Sequence, residues 1–491
     1  MKAMINRLRR QALTTVLILL LILSPLFSQE KFRRNPPYPE PVSGLNLPPV
    51  DSEILNNGLK VLTITRPNSQ IFNLQILIQA GESYSPPHLP GLATLTARML
   101  QRGTLTLSPF EIIERLETLG IEYSIEVQAD YTIFSYSFLE EHLDSALSLV
   151  SLFFIEPAFP AIELTSAKRE LYYQLLNHNQ DPEKAAYAFF TKKIFSGSGY
   201  NPGVLDEELL KNISQKDLAF FHQSWLRPNN STIILNGNIS LSNASQKISQ
   251  KFRRWAPRAL DRKSVSRLEN RTFDQICFLD QPSSEVAVIT GNFVAPPSDE
   301  DYFPLLVLNH ILGGTTNSRL FLVLRESKGL AYYAFSELSF FKENGFFWIR
   351  AKTSPEATSQ VVKEIDELLT NLVEKRVNPS ELERAKAYLI GNLPLQIQTP
   401  AELSKKIGLL EIFNLPLDFW SKYYQNIMLV NTERVQGVAR SYLTKKPLMI
   451  IAGDLNRTLN HLREFDQIEI YNRKGQFQAI FQKGVLKYEN R

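Results

Sequence analysis

Residues 312–332 read Leu312-Gly313-Gly314-Thr315-Thr316-Asn317-Ser318-Arg319-Leu320-Phe321-Leu322-Val323-Leu324-Arg325-Glu326-Ser327-Lys328-Gly329-Leu330-Ala331-Tyr332. Paired glycines end one helix, the polar Thr-Thr-Asn-Ser cluster starts a second over 318–327, and Gly329 turns the chain into strands at 332–341 and 346–353. Upstream, an apolar run over 285–294 predicts a strand that passes through Pro296-Pro297 into the first of these helices, and downstream the pattern is helical from Ala357.

The first half of the chain has the same order. Strand-like runs at 59–65 and 74–80 follow the turn residues Asn57-Gly58. Ser108-Pro109 with Glu111 forms a capping box that opens a helix closed by Gly120. Two strand-like runs at 121–128 and 131–138 come next, then helices near 142–153, 162–178 and 182–194. Both halves end alike: Trp225-Leu226, the strand 232–235 and Gly237 in the first, and Tyr442-Leu443, the strand 448–452 and Gly453 in the second. Matched starts and ends indicate an internal duplication.

The 491 residues exceed what one ordinary core accommodates, and an apolar share of 44% with 11% aromatics supplies two. Lys2, Arg7, Arg9 and Arg10 precede an apolar stretch over 12–27, which reads as a signal peptide at 1–28. Ser24 and Pro25 interrupt that stretch, so a cleaved leader is expected, with an uncleaved anchor as the alternative; after cleavage no stable membrane insertion is expected. These four cations account for the whole formal charge of +4, so the remaining chain is formally neutral and nothing in it suggests nucleic-acid binding. Residues 29–50 hold Pro36, Pro37, Pro39, Pro41, Pro48 and Pro49 and read as a tether. A first domain is expected at 51–240, a polar linker at 241–267, a second domain at 268–475 and an unassigned tail at 476–491. The lone Cys277, between Ile276 and Phe278, reads as a small apolar core residue.

The segment from Gly81-Glu82-Ser83-Tyr84-Ser85 through His88-Leu89-Pro90-Gly91-Leu92-Ala93, followed by Met99-Leu100-Gln101-Arg102-Gly103-Thr104, resembles the active-site segment of the pitrilysin/insulinase family. Catalytic members of that family carry the inverted zinc motif H-x-x-E-H after Gly-Leu-Ala. Positions i and i+4 share one helix face, so two imidazoles can ligate one ion while the Glu activates its water. Here the corresponding residues are Thr94, Ala97 and Arg98. A further Glu ligand precedes an Asp-Pro pair in the family, and against Asp181-Pro182 that position is Gln174. The strand that lines substrate in catalytic relatives, ahead of an Asp matching Asp130, here carries Ser124, Ile125 and Val127. None of His88, His142, His178, His222, His310 and His461 stands in a His-x-x-x-His pair, so neither metal nor cofactor is expected.

The opening stretch, by contrast, resembles the family's second-domain signature, in which an Arg near a helix end and a Tyr past a Gly-Leu-Ala turn face the zinc. Arg325 and Tyr332 occupy those positions. The resemblance implies an α+β architecture of two homologous α/β-roll domains, each a mixed, largely antiparallel sheet packed by helices. It also implies a non-catalytic, peptide-binding subunit that is not an enzyme by itself, while the leader implies that it is secreted or periplasmic. Such a subunit would take extended peptides along a sheet edge and supply Arg325 and Tyr332 to a zinc-bearing partner of the same family. A catalytically inert scaffold of the same fold and a peptidase with unrecognised catalysis are the alternatives.

Overall fold

The computed structural model describes residues 47–488 apart from 199, 201–206, 262–267, 269–271 and 445. The expected leader at 1–28, the tether up to residue 46, part of the linker, the last three tail residues and the side chain of His178 lie outside the described residues.

The first half runs β1 (Val50–Ile54), β2 (Lys60–Thr65), β3 (Ile71–Ile78), α1 (Leu92–Met99), α2 (Pro109–Thr118), β4 (Glu122–Val127), β5 (Thr132–Leu139), α3 (Leu143–Ile155), α4 (Ala161–Gln180), α5 (Pro182–Ile194), α6 (Gln215–Trp225), β6 (Ser231–Gly237) and α7 (Leu241–Lys251). The second runs β7 (Ile276–Asp280), β8 (Val286–Val294), α8 (Tyr302–Gly313), a π-helix (Phe321–Ser327), β9 (Ala331–Phe340), β10 (Gly345–Thr353), α9 (Thr358–Glu374), α10 (Pro379–Leu395), α11 (Pro400–Ile412), α12 (Tyr423–Leu429), α13 (Thr432–Leu443) and β11 (Leu448–Gly453). It ends in β12 (Gln467–Tyr471), β13 (Phe477–Gln482) and β14 (Val485–Lys487).

Two mixed sheets result, with strand orders β1-β2-β6-β3-β5-β4 and β14-β13-β12-β7-β11-β8-β10-β9. The repeat is topological. The repeated unit is β2 to β6 in the first half and β7 to β11 in the second; in each, the first strand of the unit pairs in parallel with its last and the other neighbours are antiparallel: β2 with β6, then β3, β5 and β4; β7 with β11, then β8, β10 and β9. The α+β fold implied by the resemblance, and the duplication expected from the matched starts and ends of the two halves, are therefore present. The tail lies outside the repeat but joins the second sheet: β13 pairs with β12 and β14 with β13.

Position 241, expected to begin a linker, begins α7 instead. Ser240 caps the helix, and Ala244 and Ile248, followed by Phe252 and Trp255, are buried in the first core. The polar residues between them, which suggested a linker, are the exposed face of an amphipathic helix.

The halves are also joined by a reciprocal exchange of helices. α5 belongs to the first half by sequence, yet its Ala185, Ala186, Phe189 and Phe190 pack with Cys277, Ala287, Ile289, Phe346 and Ile450 of the second sheet. α11 does the converse, placing Leu403, Ile407 and Leu410 against Leu62, Ile64 and Ile234 of the first. Each helix starts at a side-chain N-cap followed by proline, Asp181-Pro182 and Thr399-Pro400, so its entry point is fixed locally. Polar contacts set the seating. Gln75 Nε2 donates to the Ala401 carbonyl (2.8 Å), Asn236 Nδ2 donates to that of Pro400 (2.9 Å), and Arg350 pairs with Glu183 (2.9 Å). Burial among these residues pushes the Cys277 thiol up to about 12, consistent with its reading as an inert core residue.

Because each sheet needs the other half's helix, Ile407→Ala lowers global stability by about 2–5 kcal/mol. Hydrogen exchange in denaturant then shows β6 and β11 losing protection together, and loss from β6 while β11 stays protected overturns the exchange. A pH dependence follows from His222 on α6, whose burial lowers its pKa from 6.5 to about 4. The folded-state value is depressed, so this contribution is complete above pH 6.5 and is lost as pH falls toward 4, by up to about 3 kcal/mol. His222→Gln removes that part of the pH dependence in urea titrations, and an unchanged pH profile contradicts the assignment.

Candidate functional site

α1 is preceded by Gly91 at its N-cap, whose φ of +90° lies where a side chain would be strained, so the chain can turn sharply out of Pro90 into the helix. Its free amides are taken by Glu82, which is only 7% exposed. The carboxylate accepts from Gly91 N (3.2 Å) and Thr94 N (2.8 Å), and Ser85 Oγ accepts from Ala93 N (3.0 Å). A buried anion at a helix N-terminus satisfies orphan donors and the helix dipole together. The sequence carries no signal of this role for Glu82, because a carboxylate so far ahead of the helix start at Leu92 falls in no periodic pattern.

The structure brings Thr94, Ala97, Arg98 and Gln174 together where α1 meets α4. The Thr94 hydroxyl donates to Glu82, and Ala97 is buried with no heteroatom to offer. Arg98 Nη2 donates to Gln174 Oε1 at 2.8 Å. One turn on, Arg102 makes two hydrogen bonds to Glu170 (3.0 and 2.5 Å) and lies 3.7 Å from Glu163. Burial lowers the Arg98 pKa, opposed by Glu170; Arg102 lowers it too, and Glu82 opposes that.

This donor set does not fit zinc. The hydroxyl is committed to a carboxylate, the guanidinium has no lone pair, and the amide oxygen already accepts from that guanidinium. Among the described residues no cluster of three or more His, Cys, Asp or Glu side chains could hold a metal ion. Beside α1 runs β4, an edge strand of the first sheet, with Tyr123 51% exposed and Ser124 also at the surface. Asp130, just beyond it, is buried and accepts from the Lys342 backbone N–H at 2.7 Å, tying this corner to the second half.

Arg325 and Tyr332 lie in the second half, on either side of Gly329. The helix expected at 318–327 is π-helical from Phe321, with Lys328 N bonded to Val323 O (3.1 Å) and Leu330 N to Leu324 O (2.8 Å). Such turns are rare and frequently mark functional sites. Arg319 holds the start of this segment to α10 through two hydrogen bonds to Glu381 (3.0 and 2.8 Å), and Lys328 pairs with Glu364 at its end. Gly313 is required by packing, because a Cβ there would meet Ser336 N of β9 at 2.2 Å. Arg325 is exposed and Tyr332, on the edge strand β9, is 54% exposed. Neither side chain has a hydrogen-bond or ion-pair partner among the described residues, and none joins them to Thr94, Arg98 or Gln174. The adjacent Tyr333 is engaged, donating to Glu183 of α5.

If the Arg98–Gln174 bond ties α1 to α4, a double-mutant cycle of Arg98→Ala and Gln174→Ala gives a coupling of about 1 kcal/mol in urea unfolding. Strict additivity of the two substitutions contradicts it.

Residues 60–206 match the family described as Insulinase (Peptidase family M16), and residues 212–389 match the Peptidase M16 inactive domain. The chain is 25% identical over 391 residues to the uncharacterized zinc protease YmxG of Bacillus subtilis, covering 79% of this chain and 94% of that protein. It is 23% identical over 413 residues to an uncharacterized zinc protease of Streptomyces coelicolor, covering 82% and 89%. In fold it is similar to the crystal structure of a peptidase M16 inactive domain from Pseudomonas fluorescens, with a TM-score of 0.77 at 24% identity over 82% of this chain and 98% of that one. A protease from Helicobacter pylori matches with a TM-score of 0.76 at 19% identity, over 83% and 100%. With both halves matched in sequence and the duplicated topology on both sheets, the chain belongs to the inverted-zincin peptidase family M16.

Proposed function

We propose that the chain is the non-catalytic, peptide-binding subunit of an exported zinc metallopeptidase pair, supplying Arg325 and Tyr332 to the metal site of a zinc-bearing partner of the same family. The observation that carries this reading is an asymmetry. Where a metal would join α1 to α4, Arg98 donates to Gln174, while Arg325 and Tyr332 stay exposed and unpaired at the edge of the second sheet. A guanidinium and a phenol can hold peptide carbonyls and stabilise the oxyanion of a hydrolytic transition state. Their use does not require that the metal be on the same chain.

Peptide recognition follows from the edges. β4 and β9 each end a sheet, and an extended peptide can add there through main-chain hydrogen bonds, largely independent of sequence. Export is supported by the basic and then apolar order of residues 1–28. No described helix is long and apolar enough to cross a membrane.

The test is co-expression with a family member that carries the intact zinc motif and lacks the Arg/Tyr pair. Peptide hydrolysis is expected from the mixture and from neither chain alone. Arg325→Ala or Tyr332→Phe then lowers kcat by about 10²–10³ while assembly, followed by size-exclusion chromatography, is unchanged. Stoichiometric zinc and chelator-sensitive cleavage by this chain alone would overturn the proposal. Variants as active as wild type would replace it with an inert scaffold.

A further inference from the structure

A cavity of about 590 Å³ opens between the segment following α3 and one face of α6. Its wall is apolar at Ile155, Pro157, Phe159 and Ala219, and Leu105 at its lip is 75% exposed. His222 lines it and is itself only 6% exposed. The His222 Nε2 lies 3.0 Å from the Phe154 carbonyl oxygen. A carbonyl can only accept, so the proton sits on Nε2 and Nδ1 is left as an acceptor. No second hydrogen bond to this ring occurs among the described residues. The ring is held edge-on to Phe159, with centroids 5.9 Å apart, and its burial keeps it neutral above about pH 4.

The charges at this cavity are unbalanced. Lys216 has no ion-pair partner among the described residues, and Arg227 spends only Nε, on the Gln223 carbonyl at 2.7 Å, leaving both Nη groups unpaired. Burial lowers the Arg227 pKa and Arg258 lowers it further, so this guanidinium is partly desolvated without a counter-charge. The one carboxylate in the wall, Glu156, is already neutralised by Arg254 and accepts from Thr106 Oγ1 at 3.2 Å. Two free cations, one neutral imidazole acceptor and an apolar wall call for a ligand with a carboxylate, one donor and an apolar body.

We propose that this cavity binds the C-terminal residue of a peptide, when that residue is apolar. Its α-carboxylate pairs with Lys216 and Arg227, its amide N–H donates to His222 Nδ1, and its side chain packs on Phe159 and Ala219. The site lies on a helix that packs against α1 but uses none of the residues assigned above to peptide hydrolysis, and it does not rest on the pairing proposed there.

The experiment is calorimetric titration of the full chain with N-acetyl-leucine, with N-acetyl-leucinamide, which lacks the carboxylate, and with 4-methylpentanoate, which lacks the N–H. N-acetyl-leucine is expected to bind at one site, with each comparator weaker by about tenfold. Lys216→Glu, on the surface of α6, abolishes binding without touching the core, and His222→Phe makes N-acetyl-leucine and 4-methylpentanoate equivalent. Absence of saturable binding of N-acetyl-leucine to the wild-type chain overturns the proposal. So does equal binding of the amide, or wild-type affinity in Lys216→Glu. Should His222→Phe fail to fold, the comparison of N-acetyl-leucine with 4-methylpentanoate on the wild-type chain decides the role of the N–H, and equal affinity excludes it.

Discussion

The central strands of both sheets are buried on both faces, and the rest of the structure follows from that constraint. Every residue of β6 is buried, as are all nine of β8. A strand of this kind must be covered twice. The helices of each half cover one face only, so the second face is closed by exchange, α5 on the second sheet and α11 on the first. Apolar burial supplies the driving force, at roughly 1.5–3 kcal/mol for a fully buried side chain such as Ile407 or Phe190. The polar contacts supply the seating. Gln75 and Asn236 point from the first sheet at the opening turn of α11, and Glu183 in the opening turn of α5 receives Arg350 and Tyr333 of the second sheet. Neither half can leave without exposing a face of both sheets, so the edges β4 and β9 are carried by one continuous scaffold.

Duplication places equivalent crevices in the two halves, and each is filled differently. In the first, α1 meets α4 beside the edge strand β4, and Arg98 with Gln174 occupies the contact. In the second, α8 meets α10 beside the edge strand β9, where His310 stacks on Tyr388 with centroids 4.4 Å apart and Arg319 bridges to Glu381. The same topology therefore holds a cation on a neutral amide in one half and an aromatic stack with an ion pair in the other. The exposed Arg325 lies on the segment that Arg319 and Lys328 anchor at both ends, and the exposed Tyr332 follows it on the edge strand β9.

How much of this was legible in the sequence depends on the range of the interaction that decides each feature. Capping boxes and turn glycines act within a few residues, so Ser108 with Glu111, Gly120 and Gly329 could be read directly, and the repeated strand order with them. The loss of zinc ligands was equally local, because it depends on residue type at Thr94, Ala97 and Arg98. The helix exchange was not legible. The apolar face of α5 shows that it must pack, but nothing in its pattern says on which sheet. α7 was mistaken for a linker because two of its anchors, Phe252 and Trp255, lie at and beyond its end rather than within its repeat. The π-helical turn before Gly329 was also hidden, since residue type does not separate it from an α-helix. The pairing of Arg98 with Gln174 joins residues 76 apart and is fixed only once α1 and α4 are docked.

The residues at the positions of the family's zinc motif also tie α1 to α4 through their own side chains. A bound divalent cation would tie α1 to α4 through two side chains of one helix and one of the other. Here that tie is divided: Arg98 reaches Gln174, and one turn later Arg102 reaches Glu170 and Glu163. At the other end Glu82 holds the first amides of α1 and the Thr94 hydroxyl. Both ends of the helix are thus fixed by charge-assisted hydrogen bonds, which are shorter and stronger than neutral ones. Peptide binding needs a surface of fixed shape with available edges, whereas hydrolysis needs an electrophile or an activated nucleophile at one point on it. The first half presents a fixed edge at β4, and a guanidinium in place of an imidazole can orient a carbonyl but cannot generate hydroxide.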